Sequence, residues 1–242
     1  MSRPRALIRS SNPFKFPGTK PGFDPSHIAA QNAKASTVVL AGSSSVVNLL
    51  SGAKNNAVSG SPASGFGVIG PAISNSGTGV CQFTTGLSVS AITNSPMTFA
   101  GIFVPSVVGS AYQYCCGVGL SNGAGIGLDN AGHATFSRFT ATSYAPGGTA
   151  FVAGVPYFMA GSTDNATKTN IVALRLDTGQ LITFTGGGAA VVAPSNTFNH
   201  AGGNGGTGLN GLTSCAMYAE NFQSLPSLVK WASDPWEFWY PR

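Results

Sequence analysis

Before residue 222 no ten-residue stretch carries the apolar spacing of a helix. The chain reads instead as short β-type runs bounded by Gly, Ser, Asn and Pro. These are STVVL (36–40), VVNLL (46–50), LSVSA (87–91), MTFAGIFV (97–104), ATFSRF (134–139), FVAGVPYFMA (151–160), IVALRLD (171–177), LITF (181–184) and GLTSCAMYA (211–219). Strands of this length, joined by turns over 242 residues, predict an all-β fold: an antiparallel β-sandwich of the jelly-roll kind, large enough for a proper core.

Alternation within the runs says which strands lie deep. In MTFAGIFV, Met97, Phe99, Gly101 and Phe103 share one face, and Thr98, Ala100, Ile102 and Val104 share the other. Both faces are apolar enough for a central strand covered on both sides. In IVALRLD, Arg175 shares a face with Ile171 and Ala173 while Val172, Leu174 and Leu176 point the opposite way, which predicts a half-buried strand. Asp177, Thr178 and Gly179 then turn the chain into LITF as a β-hairpin. The one helical pattern is SLPSLVKWASDPW (224–236): Ser224 can cap it, Pro226 fits its first turn, and Leu225, Leu228, Val229 and Ala232 line one side.

Charge is scarce and uneven. Charged residues make up 8% of the chain, against roughly 25% in an ordinary domain. Arg3, Arg5, Arg9, Lys15 and Lys20 come before any carboxylate, and from residue 21 onward seven basic residues balance seven acidic ones. Pro4, Pro13, Pro17, Pro21 and Pro25 exclude a long helix from residues 1–26, and Leu7, Ile8, Phe14, Phe16 and Phe23 make the segment too apolar for a solvated linker. The expectation is an extended docking arm (1–26) ahead of a sandwich domain (27–242), with Arg3, Arg5, Ile8, Arg9, Phe14, Lys15, Phe16 and Lys20 as its contact residues. A disordered tail is the alternative.

Five arm charges over a neutral body make specific nucleic-acid binding a poor fit, and an acidic protein surface a better one. No secretory leader and no apolar membrane span are visible, so folding in a cytosol and no membrane partner are expected. Cys81, Cys115, Cys116 and Cys215 are then reduced, small buried hydrophobes. No metal-ligand spacing occurs, and no cofactor is implied.

Catalysis is expected to be absent. The chain has seven carboxylates and three histidines (His27, His133 and His200), and neither Glu220 nor Glu237 lies in a mid-sheet run. The Gly-rich stretches CGVGLSNGAGIGLDNAG (116–132) and HAGGNGGTGLNG (200–211) match no phosphate loop and are read as flexible turns.

The end of the chain carries a resemblance. CAMYAENF (215–222), then Leu-x-x-Leu-x-x-Trp, then Asp-Pro-Trp followed by Phe238 and Trp239 resembles the close of concanavalin-A-like (laminin-G-like) jelly-roll domains of tailed-bacteriophage virion proteins. Residues 157–184 and 200–218 are similar to that family's central strands, and PGTKPGFDPSH (17–27) is similar to the lead-in that precedes such domains. The acidic rim residues that often hold calcium in the family have no counterpart here.

The resemblance implies a virion structural protein assembled in the host cytoplasm. A capsid decoration (cement) protein, anchored by the arm to the major capsid protein or other virion proteins and homo-oligomeric, is the first expectation. The alternative is a carbohydrate-binding, receptor-recognising module of a fibre, meeting a surface glycan through Asp129, Asn130, Tyr144 and Asp164. Trp231, Trp236 and Trp239 either close the flank where the chain ends meet or form an exposed aromatic platform.

Overall fold

The computed structural model describes residues 16–17, 21–55, 57–59, 63–76, 80–84, 95–119, 123–138, 143–144, 149–187, 197–202 and 208–240. Strands β1 (Ala33–Val39), β2 (Val46–Asn48), β3 (Lys54–Asn55), β4 (Ala57–Ser59), β5 (Ala63–Gly67), β6 (Gly70–Ser76) and β7 (Val80–Thr84) fill the first third. There follow β8 (Met97–Pro105), β9 (Gln113–Val118), β10 (Ala124–Leu128), β11 (Ala134–Arg138) and β12 (Ser143–Tyr144). The last group is β13 (Tyr157–Thr163), β14 (Lys168–Arg175), β15 (Leu181–Gly187), β16 (Thr197–His200) and β17 (Asn210–Ala219), and helix α1 (Leu225–Ala232) ends the series.

The strands form two sheets, as the all-β expectation required. The ten-stranded sheet runs β15-β14-β13-β8-β17-β1-β2-β3, with β6 alongside β17 and β5 beyond it. The seven-stranded sheet runs β12-β11-β10-β9-β16-β7-β4. Strand β17 is the hub of the larger sheet: β8 lies along one edge, while β1 and β6 share the other.

Two apolar layers result. Between the sheets, Met97, Phe99 and Phe103 of β8 meet Cys115, Ile126 and Phe136 of the smaller sheet. Behind the larger sheet, Ala100, Ile102 and Val104 of the same strand join Leu228, Trp231, Trp236, Phe238 and Trp239. Strand β8 is therefore covered on both sides, as its alternation predicts. Strand β14 departs from expectation: Ile171 and Ala173 enter the first layer and Val172 and Leu174 the second, so it is buried on both faces rather than half-buried. Helix α1 lies over it, and an amphipathic pattern cannot reveal a cover that arrives fifty residues later.

The Gly-rich stretch 116–132, expected to be flexible, holds the end of β9 and all of β10 in the middle of the smaller sheet. Ala124, Ile126 and Leu128 point into the core with two glycines between them. A Cβ on Gly127 would lie 1.9 Å from the Gln113 carbonyl oxygen, beside a register shift at Ile126/Gly127. Only glycine lets the strands approach that closely. Conversely, the run expected to begin at Phe151 becomes strand only at Tyr157, because Gly154 adopts a left-handed turn (φ 78°) and Pro156 precedes the strand. The run 87–91 lies outside the described residues.

A buried polar seam aims the helix. Thr98 Oγ1 meets Ser162 Oγ (2.8 Å) and donates to the Asn221 carbonyl (3.0 Å). The Gln223 amide donates to Ser162 Oγ (2.8 Å), and Asn170 Nδ2 donates to the Gln223 carbonyl (3.0 Å). Gln223 Nε2 continues to the Ile28 carbonyl (3.1 Å). Residues 221–223 are thus fixed to β8, β13, β14 and the lead segment before α1 starts. Ser224 caps the helix from its side-chain oxygen to the Ser227 amide (3.3 Å).

Candidate functional site

The two ends of the chain meet on the back of the larger sheet. Trp231, Trp236 and Trp239 are 1%, 2% and 0% exposed, so no aromatic platform faces solvent there. Phe16 packs edge-on to Trp236 (5.4 Å between ring centres) and Tyr240 (5.2 Å), and Phe23 does so to Phe238 (5.4 Å). The Gly22 amide donates to the Trp239 carbonyl (2.8 Å). The structure therefore places Phe16, grouped from the sequence with the docking residues, against the chain's own sandwich. Arg3, Arg5, Ile8, Arg9, Phe14, Lys15 and Lys20 lie outside the described residues.

Where the lead crosses the end of α1, a cleft of about 190 Å³ opens, lined by Asp24, Ser26, His27, Lys230, Trp231 and Glu237 together with Ile28 and Ser233. His27 is held between Trp231 (5.0 Å) and Phe238 (5.4 Å). Its Nδ1 accepts the Ala29 amide (3.1 Å) and so caps the 3₁₀ turn Ile28–Ala30. In the neutral ring the proton is then on Nε2. Burial lowers the His27 pKa to about 4; Asp24 opposes that shift and Lys230 adds to it. Asp24 accepts from the Ser26 amide (2.8 Å) and hydroxyl (2.6 Å), and these bonds hold its carboxyl below the ordinary range. Lys230 and Glu237 are exposed and make no ion pair among the described residues.

The candidate sugar residues are not brought together. Asp164 closes the β13–β14 turn: Oδ1 accepts the amides of Ala166 (2.9 Å), Thr167 (2.8 Å) and Lys168 (2.8 Å), and Oδ2 accepts the Thr167 hydroxyl (2.8 Å). Burial would raise its pKa, but these four bonds outweigh it and hold the carboxyl well below the usual range. Asp129 does the same in the β10–β11 turn, where Oδ1 accepts the amides of Ala131 (2.9 Å) and His133 (2.7 Å). The two turns lie at opposite ends of the sandwich. Thr163 pairs with Met97 at the start of β8, whereas residues following the Asp129 turn bond to 151, and 154 bonds to Pro105 at the end of β8. Asn130 is exposed beside Asp129. Tyr144 pairs with Phe136 in the smaller sheet; its side chain lies outside the described residues.

The cysteines Cys115, Cys116 and Cys215 are free and buried, and burial raises the Cys215 thiol to about 12. The side chain of Cys81 lies outside the described residues. Among the described residues no group of three or more His, Cys, Asp or Glu side chains could hold a metal ion.

No family model matches the chain, and no curated protein matches it in sequence. Solved structures do share its fold. Domain 4 of AbnA, an extracellular GH43 arabinanase from Geobacillus stearothermophilus solved with arabinotriose, aligns with a TM-score of 0.58 at 13% identity, over 83% of this chain and 98% of that domain. Tailspike protein 2 of an Escherichia coli O157:H7 bacteriophage aligns at 0.51 and 17% identity, over 74% of this chain and 27% of that one. Trypanosoma rangeli sialidase in complex with sialic acid aligns at 0.58 and 11%, over 84% of this chain and 33% of that one. The chain thus spans nearly all of the arabinanase domain but about a third or less of the tailspike and the sialidase. At these identities the likeness is one of fold.

That likeness corrects the expectation that the chain is not an enzyme. The fold is carried by glycoside hydrolase and sialidase chains, and by the enzymatically active part of the phage tailspike. The structure also brings Asp24 and Glu237, far apart in sequence, to the lining of one cleft. Sequence reasoning missed this cleft because its walls lie some two hundred residues apart. The one trace in the sequence is that the cleft's charged members, Asp24, Lys230 and Glu237, lie near the two ends of a chain poor in charge.

Proposed function

We propose that this chain is a carbohydrate-recognising β-sandwich module of a tailed-bacteriophage particle. The observation that carries the reading is the match over 98% of a stand-alone arabinanase domain that was solved with a bound sugar, arabinotriose. The tailspike likeness and the phage-type ending of the sequence support the setting. Glycan recognition is preferred to capsid decoration because Phe16 and Phe23, aromatic material of the supposed anchor, are engaged by the chain's own Trp236, Tyr240 and Phe238. The basic segment from Arg3 to Lys15 remains the attachment to other virion proteins in this account.

The test is the full chain applied to an array of bacterial surface polysaccharides and arabino-oligosaccharides. Saturable retention on a defined glycan is the expected result. Retention on none of them, together with rebinding in hundreds of copies to virions stripped of the protein, would replace this reading with decoration.

A further inference from the structure

The cleft between the lead and the end of α1 is a concavity whose lining brings charged, polar and aromatic side chains together. Three of its eight lining residues, Asp24, Lys230 and Glu237, are charged, in a chain where 8% of residues are. Several charges elsewhere in the described residues are consumed locally: Arg175 grips Asp177 (2.7 Å), Lys34 meets Glu220 (3.5 Å), and Asp164 is filled by its own turn, whereas Lys54 and Lys168 are exposed without an ion pair. Lys230 and Glu237 have no such ion pair among the described residues, and unlike Lys54 and Lys168 they line a concavity together.

We propose that this cleft binds one ring of a neutral sugar, an assignment that rests on the glycan reading above. Its volume, about 190 Å³, falls below the roughly 300–1,000 Å³ of drug-sized pockets, which suits a single ring and not an oligosaccharide. The lining supplies both donors and acceptors, as a polyhydroxylated ring requires. Lys230 and His27 Nε2–H donate; the Asp24 and Glu237 carboxylates accept. The hydroxyls of Ser26 and Ser233 already donate, to Asp24 Oδ1 (2.6 Å) and the Lys230 carbonyl (2.6 Å), so they face a ligand as acceptors. Trp231 supplies a buried apolar wall, and its indole N–H has no partner among the described residues. Two carboxylates against one ammonium leave the cleft formally negative, so an acidic sugar or a phosphate is repelled where a neutral ring is not.

The variants that test this are Lys230→Ala and Glu237→Gln, both at exposed positions whose loss leaves the core intact. Each is titrated, as the full chain, with the glycan that the array retains and with arabinotriose, following tryptophan fluorescence; Asn130→Ala at the far rim is the control. Loss of one charged hydrogen bond weakens binding about tenfold or more. The expected result is that weakening in both cleft variants, none in N130A, and weaker binding of N-acetylneuraminic acid than of neutral monosaccharides by the wild type. Unchanged affinity in both cleft variants, with the wild type binding, would overturn the cleft assignment and leave the glycan reading standing. A wild type that binds no glycan would overturn both.

Discussion

His200 offers a stability measurement with a sign fixed by its surroundings. It sits in β16, wholly buried between the sheets, with Nδ1 2.9 Å from the Thr37 hydroxyl and Nε2 3.4 Å from the Thr213 carbonyl. Burial lowers its pKa from 6.5 to about 4, with the Thr213 carbonyl opposing the shift. A base whose pKa falls on folding binds fewer protons folded than unfolded between those two values. Stability is therefore complete above pH 6.5 and falls as the pH drops toward 4. At about 1.4 kcal/mol per unit, going from pH ~7.5 to pH ~5 costs roughly 2 kcal/mol through this one residue. His27 shifts in the same direction for the same main reason, so the wild-type slope contains both residues.

The assay is urea unfolding at the two pH values for the wild type and for His200→Gln, which keeps a polar side chain but does not titrate. The wild type should lose about 2 kcal/mol more than the variant on acidification. Equal losses would show that His200 titrates in the fold as it does in the unfolded chain, and the account of the inter-sheet layer around it would be wrong.

Three further substitutions probe the packing. Gly161→Ala places a Cβ 2.6 Å from the Phe136 ring and 2.7 Å from Ile126 across the sandwich; overpacking of this kind costs about 1–3 kcal/mol and should lower the melting temperature by several degrees. Asp164→Ala removes the acceptor of four hydrogen bonds at the β13–β14 turn and should destabilise by about 1–3 kcal/mol. The stability contributed by Asp164 is present above its ordinary value of 3.8 and lost as pH falls below it, so the gap between wild type and variant should close in acid. Phe16→Ala removes two edge-to-face ring contacts, on Trp236 and Tyr240, worth about 0.5–1.5 kcal/mol each beyond area; an unchanged unfolding midpoint would show that the lead does not rest on the sandwich in solution.

The parts of the fold that were legible are those whose instructions are local. Strand β8 announces both its faces through alternation, Gly179 (φ 74°) supplies the left-handed residue of the β14–β15 turn, and Ser224 and Pro226 mark the start of α1. Strands β9 and β10 were hidden because glycine normally signals a turn. Here Gly125 and Gly127 serve close strand approach, with Ala124, Ile126 and Leu128 carrying the core between them. The second face of β14 and the terminal cleft depend on where α1 and the lead come to rest, and nothing within either segment encodes its distant partner. Asp129 and Asp164 looked available at loop tips because a sequence does not show that a carboxylate is already filled by backbone amides.

The decisive experiment is a crystal structure of the full chain soaked with the glycan that the array retains. The account predicts a sugar ring in the cleft between the lead and α1, within hydrogen-bond reach of Lys230 and Glu237 and against Trp231. A sugar seated instead at the turns carrying Asp129 or Asp164, or no ordered sugar at all, would contradict it.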